Sequence, residues 1–195
     1  MRMDYDIIAL INNNIMLFKD PYNHHGPRVG KLSKLLATEM SDLSKEDIKM
    51  IEYGAMLHDI GKLYLPEGLT VQPRKLTLVE KSIVETHVTL GTQLLNHIGC
   101  DTRVINSAWT HHENWDGTGY PRGLIEYEIP LCGRIVRIID VYDALTHDRS
   151  YRKAFGKKFT LTYISEQKGK MFDPDMVDLF INMMKGSKGS ANRED

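Results

Sequence analysis

The chain has 195 residues, 42% hydrophobic and 26% charged, with a formal net charge of -1. That length suffices for one well-buried core. A balance so near neutral excludes a broad surface for nucleic-acid polymers or anionic membranes, which needs a basic excess. No apolar run reaches the roughly 20 residues that span a bilayer; Ile7 to Leu17 comes closest and is broken by Asn12, Asn13 and Asn14. The N-terminus lacks a basic stretch followed by an apolar one, so the expectation is a cytoplasmic protein without membrane insertion. Cys100 and Cys132 form no CxxC pair and read as buried apolar thiols.

Taken in chain order, the signals are helical and no alternating strand pattern appears. A first helix is expected from about Asp4 to Phe18, ending before Pro21. A second begins near Asn23 or His24 and carries Val29, Leu32, Leu35, Leu36 and Met40 at helical spacing. Ser44 with Asp47 caps a third, Lys45 to Leu57. Residues 61–76, with Pro66, Gly68 and Pro73, read as a loop. Thr77 and Glu80 form a capping box that opens one helix to about His97. Asp101 caps the next, which ends at His111 and His112; a glycine-rich loop follows over residues 113–123. Pro130 suits the first turn of a helix to about Thr146. No element is placed between there and Asp173-Pro174, which opens a last helix to about Met184. The fold class is all-α, a single-domain helical bundle.

The stretch His58-Asp59-Ile60-Gly61-Lys62 closes an apolar helical run. Imidazole and carboxylate together suit a hydrolytic metal such as Fe, Mn or Zn. Adjacent ligands point apart on a regular helix, so the pair more naturally touches two metals, or bridges them, at a helix end. Gly61 is expected to let the chain turn sharply there, and Lys62 to place a cation where an anionic substrate sits. His25 lies one turn before Arg28, and His87 one turn before Gly91, where glycine leaves room for close approach. His111 and His112 end another helix, and Asp140 and Asp143 lie on one face of an otherwise apolar helix, where a carboxylate needs a partner or a metal. Any one of these residues alone reads as a core histidine, an ion-pair member or a turn. Together they supply a dinuclear site.

These segments resemble the HD-GYP branch of the HD phosphohydrolase superfamily. The matching text is His25-x-x-Arg28-Val29, His58-Asp59-Ile60-Gly61-Lys62, His87-x-x-x-Gly91, His111-His112-Glu113-x-x-Asp116-Gly117-x-Gly119-Tyr120-Pro121, Asp140-Val141-Tyr142-Asp143-Ala144-Leu145 and Arg149-Ser150-Tyr151-Arg152. The run around Gly119-Tyr120-Pro121 is far more specific than the His-Asp pair. The resemblance covers residues 21–185 as a catalytic domain, with an N-terminal helix over 1–20 and a disordered tail over 186–195. It implies an HD-type bundle and a metal-dependent phosphodiesterase that hydrolyses cyclic di-GMP to pGpG and on to GMP in some members. The alternatives it leaves are another cyclic or linear nucleotide, including cyclic GMP-AMP, and a non-catalytic module that contacts a GGDEF-domain protein.

The implied ligands are His25, His58 and Asp140 for one metal and His87, His111 and His112 for the other, with Asp59 between them. The ions are expected to be Fe or Mn, with Zn and Ni also suited. Asp59 and Lys62 carry the chemistry, and Lys62 also meets the phosphate. Tyr120, Arg149 and Arg152 are expected to contact substrate, and Asp143 either substrate or a ligand. Glu113 and Arg122 are expected to hold the loop. In some family members a glutamate one turn before the position of His25 holds a third metal; here that position is Pro21, so two metals are expected. An apolar stripe on Ile7, Ile8, Leu10, Ile11 and Ile15 packs onto the bundle or pairs two copies as a homodimer.

Overall fold

The structure is a computed structural model that describes residues 24–148 and 152–186. Eight α-helices follow in order among these residues: α1 (His25–Thr38), α2 (Lys45–Leu57), α3 (Leu78–Glu85), α4 (His87–His97), α5 (Thr102–Thr110), α6 (Leu131–Thr146), α7 (Lys157–Glu166) and α8 (Pro174–Gly186). Short 3₁₀ turns occupy Ile60–Tyr64, Leu69–Val71 and Glu126–Glu128, and no strand is present among the described residues. The helix expected over 1–20 and the tail after Gly186 lie outside them.

Local chemistry accounts for the helix starts. Ser44 accepts the Asp47 amide while the Asp47 carboxylate reaches back to the Ser44 amide, and Thr77 and Glu80 repeat the arrangement on α3. Asp101 caps α5 by accepting the Arg103 amide. The Arg103 guanidinium also bonds Asp101 and the Asp47 cap of α2, which ties the two helix starts together.

Two predictions need correction. The helix expected from Thr77 to His97 is two, because it breaks at Thr86. There the Thr86 hydroxyl donates to the Ile83 carbonyl at 2.6 Å and the His87 ring to the Val84 carbonyl at 2.6 Å, so side chains take acceptors that a continuous helix would use. Second, α7 fills a stretch where no element was expected. Its apolar residues Phe159, Leu161 and Tyr163 alternate as a strand's would, yet the positions it buries are Thr160 and Ile164, four apart.

The core has two parts that meet on α2. Ile51 and Ala55 join Val29, Leu36, Ile135, Ile138, Ile139, Ile164 and Phe180 from α1, α6, α7 and α8. Met50 and Leu57, on the other side of α2, join Ile60, Leu95, Val104 and Ala108. Helix α1 packs on α2 and α6, and α5 packs on α2, α4 and α6. Cys100 and Cys132 are free and buried, as expected of apolar thiols.

The 3₁₀ turn after Asp59 crosses α4 with backbone against backbone. A Cβ on Gly61 would overlap the His87 carbonyl and stand 2.5 Å from the Gly91 amide nitrogen; one on Gly91 would stand 3.0 Å from the Gly61 nitrogen. Gly61 is not among the glycines with positive φ. Its role is therefore close approach rather than the sharp turn expected of it, and this contact brings His87 to Asp59.

Candidate metal centre

Helix ends deliver the ligands. His58 and His111 are the C-cap residues of α2 and α5, His25 and His87 open α1 and α4, and Asp140 sits inside α6. At each C-terminus the last carbonyls lack an intrahelical partner. The His58 ring donates from Nδ1 to the Ala55 carbonyl at 2.7 Å, and His111 does the same to Ala108 at 2.9 Å. His87 uses the Val84 carbonyl freed at the Thr86 break. His25 turns Nδ1 to the Asp143 carboxylate, at 2.7 Å. With Nδ1 engaged in all four rings, Nε2 is the nitrogen left to face the centre, where that of His25 also meets Asp140.

Those Nε2 atoms converge on Asp59. Its Oδ1 lies 3.2 Å from His87 Nε2 and 3.8 Å from His111 Nε2. Its Oδ2 lies 3.4 Å from His58 Nε2 and 3.7 Å from His25 Nε2. Asp140 completes the second group, 3.2 Å from His25 and 3.9 Å from His58. The residues thus form two sets with mutually close ligand atoms, Asp59 with His87, His111 and His112, and His25 with His58 and Asp140. All seven residues expected as ligands are brought together, with Asp59, expected between the two metals, grouped with His87, His111 and His112 while its Oδ2 faces His25 and His58.

The donor set fits divalent metal ions. His58 Nε2 and Asp59 Oδ1 are buried polar atoms without a hydrogen-bond partner, an arrangement costing about 1–3 kcal/mol for each group. His87 Nε2 and His111 Nε2 face each other at 3.3 Å with both Nδ1 protons already committed. Two lone pairs at that distance call for a cation between them.

The electrostatics agree. Burial opposes ionisation of Asp59, yet the Lys62 ammonium and the His58 and His87 rings hold its carboxyl well below the usual range. Burial likewise disfavours charge on Asp140, and His25 overrides it. Burial would depress His25, but hydrogen bonds to Asp140 and Asp143 raise it to about 9. Burial and the neighbouring rings push His111 well down, and burial does the same to His112. Asp59, Asp140, His111 and His112 are thus held in the ionised-carboxylate or neutral-imidazole form that binds metal, whereas the raised His25 would have to give up a proton to do so.

Around this centre the other expected residues divide. Lys62 pairs with Asp59 Oδ2. Tyr120 stacks on His112 with ring centroids 4.7 Å apart. Both line a cleft of about 630 Å³, together with His87, His112 and the wall from Leu69 to Val84. Glu113 is buried and accepts the Arg122 and Leu124 amides, holding the loop that carries Tyr120. Arg122 meets Glu113 through its amide, and its guanidinium lies over the Trp109 ring.

Asp143 is not placed for substrate. It is 1% exposed, and its oxygens hold His25 Nδ1 and the Arg28 guanidinium, the latter through two bonds of 2.7 and 2.8 Å. Of its two expected roles, orienting a ligand is the one it has here. Arg152 also departs from its expected contact with substrate. Its guanidinium donates to the carbonyls of Ala144, Leu145 and Lys153 and lies over the Phe155 ring, so it caps the end of α6. Arg149 and Pro21 lie outside the described residues. Sequence reasoning assigned no role to Arg28; its one-turn spacing from His25 was the available signal.

The HD domain family matches residues 11–176. A Thermotoga maritima protein named cyclic di-GMP phosphodiesterase is 35% identical over 193 residues, covering 97% of this chain and 52% of the relative. A Vibrio cholerae protein named 3'3'-cGAMP-specific phosphodiesterase 2 is 36% identical over 159 residues, covering 80% of this chain and 30% of the relative. The chain therefore spans about half or less of the length of these relatives. An HDG"Y"P protein from Bdellovibrio bacteriovorus has the same fold, with a TM-score of 0.69 at 22% identity over 92% of this chain and 60% of that one. The family match over most of the chain, with these relatives, places it in the HD domain family, in its HD-GYP branch.

Proposed function

We propose that the chain is a metal-dependent phosphodiesterase acting on cyclic di-GMP, with pGpG as product and GMP after a second cleavage. The observation that carries this reading is Asp59, whose two oxygens face different sets of ring nitrogens. Two divalent ions would fit here: His25, His58 and Asp140 would hold one and His87, His111 and His112 the other, with Asp59 available to both. Fe and Mn fit this mixed imidazole–carboxylate set, and Zn and Ni are also compatible. When bound, such a pair supplies charge neutralisation at phosphorus and lowers the pKa of water to near neutrality.

The chain's own residues do the rest. Lys62 lines the cleft beside Asp59 and stabilises the phosphate or the departing alkoxide. Tyr120, fixed against His112, gives the cleft an aromatic face for a base. Burial holds its hydroxyl protonated, so it meets the ligand as a neutral group.

The relative named for 3'3'-cGAMP favours a second reading, in which cyclic GMP-AMP is the substrate. Both are tested together. Anaerobically purified protein is loaded with Fe or Mn, its metal counted, and incubated with each cyclic dinucleotide. Two ions per chain and turnover of cyclic di-GMP are expected, and Asp59→Ala should abolish turnover with its helical circular dichroism unchanged. Turnover by Asp59→Ala near the wild-type rate would remove Asp59 from the centre.

A further inference from the structure

The cleft is longer than the metal centre. Beyond Lys62, His87, His112 and Tyr120 its wall is built from Leu69, Gln72, Pro73, Arg74, Lys75, Leu76, Lys81 and Val84, and no carboxylate is among its lining residues. A metal centre needs no second cluster of cations. Resting on the reading above, we propose that Lys75 and Lys81 form a subsite for the second, uncleaved phosphate of a cyclic dinucleotide.

Arg74 is the wall cation held by a short, two-pronged pair. It forks onto Glu80 with bonds of 2.8 and 2.6 Å, and Glu80 in turn closes the capping box on Thr77. This fork sets the backbone on both sides of Lys75 and the first turn of α3, from which Lys81 projects. Helix α3 buries no residue, so local bonds rather than the core hold this wall. Among the described residues no ion pair engages Lys75, and Lys81 has a 3.6 Å contact with the part-exposed Glu85, which an incoming phosphate can replace.

The cleft offers cations in two places, Lys62 beside Asp59 and Lys75 with Lys81 on the wall. Lys81 on α3 and His87 on α4 lie on either side of the Thr86 break, and both line the cleft. The apolar side chains that share the cleft, Leu69, Pro73, Leu76 and Val84, suit the flat faces of bases. A phosphodiester with one phosphate can fill the centre and leave Lys75 and Lys81 empty. The pair thus separates cyclic dinucleotides from simple phosphodiesters.

The test compares the metal-loaded wild type with Lys75→Gln, Lys81→Gln and the double variant, on cyclic di-GMP and on bis(p-nitrophenyl) phosphate. Loss of both cations should raise KM for the dinucleotide about tenfold or more and flatten its salt dependence. Its kcat, and the rate on the small diester, should change less than twofold. An unchanged KM overturns the subsite, and so does an equal loss on both substrates, which would mark the wall as support for the metal centre. A wild type that binds a phosphorothioate analogue of cyclic di-GMP without turning over the parent would overturn the hydrolytic reading alone. The ratio of dissociation constants between wild type and double variant then decides the subsite, tenfold supporting it and unity overturning it.

Discussion

His25 reaches a carboxylate through each of its ring nitrogens, and the two contacts do different things. Asp143 takes the Nδ1 proton, which fixes the tautomer and the ring, while Nε2 is left facing Asp59 and Asp140. Asp143 is itself held by the Arg28 fork. Asp143→Asn keeps the shape but removes the charge, so His25 loses its orientation and Arg28 its counter-ion. Metal affinity should fall by about 10- to 100-fold, read by competition with a chelating dye, and the fall should be larger for one ion than for the other. Equal, undiminished binding of both would make the Asp143 contact incidental. Asp143 also marks what single positions reveal in sequence. Its place on the Asp140 face was legible, whereas the identity of its partners depends on α1 lying across α6.

Among the elements, the crossing of the 3₁₀ turn and α4 carries the most consequence. Gly61 and Gly91 let the two backbones touch, and His87 stands at the crossing. Gly61→Ala forces a Cβ into backbone atoms that cannot rotate away. The cost should be about 1–3 kcal/mol or more, read as a lowered midpoint in urea. The displaced His87 should also reduce the metal bound by the set of His87, His111 and His112. A variant with wild-type stability and full metal content would show the crossing to be looser than the structure has it. The Thr86 break belongs to the same scale. It was hidden in the sequence because Thr77 to His97 is compatible with one helix, and the competition between side-chain donors and the backbone ladder decides the matter only once His87 is held in place.

For the whole molecule, the histidine and aspartate cluster occupies the region to which α1, α2, α4, α5 and α6 all contribute, so the site is also a junction of the bundle. Buried groups left without partners make the metal-free fold the weaker one. Ligands that bind the native state alone stabilise it by about 2.7 kcal/mol at 100 times their dissociation constant. For a chain of this size that is roughly 5–10 °C in Tm at about 2–4 °C per kcal/mol. Calorimetry of the metal-loaded protein before and after chelator should show this shift. No shift, with metal shown to be bound beforehand, would separate the centre from the stability of the bundle. No helix of the described residues is long and apolar enough to cross a membrane.

The sequence by itself determined the helical class, most helix starts and which histidines and aspartates gather in one cluster. Caps such as Ser44 and Thr77 act on neighbours three residues away, and the ligand motifs are short runs of fixed residue types. Only the tertiary structure decided how those runs are used. The orientation of each imidazole depends on a carbonyl or carboxylate that folding brings to it. The division of the ligands into two sets depends on which oxygen of Asp59 each ring meets. Arg152 shows the limit most plainly: a guanidinium suits a phosphate and the end of a helix equally well, and only its distance from the α6 carbonyls selects the second. The pull of α7 into the core through Thr160 and Ile164 is of the same kind, since burial is conferred by the partners and is absent from the local pattern.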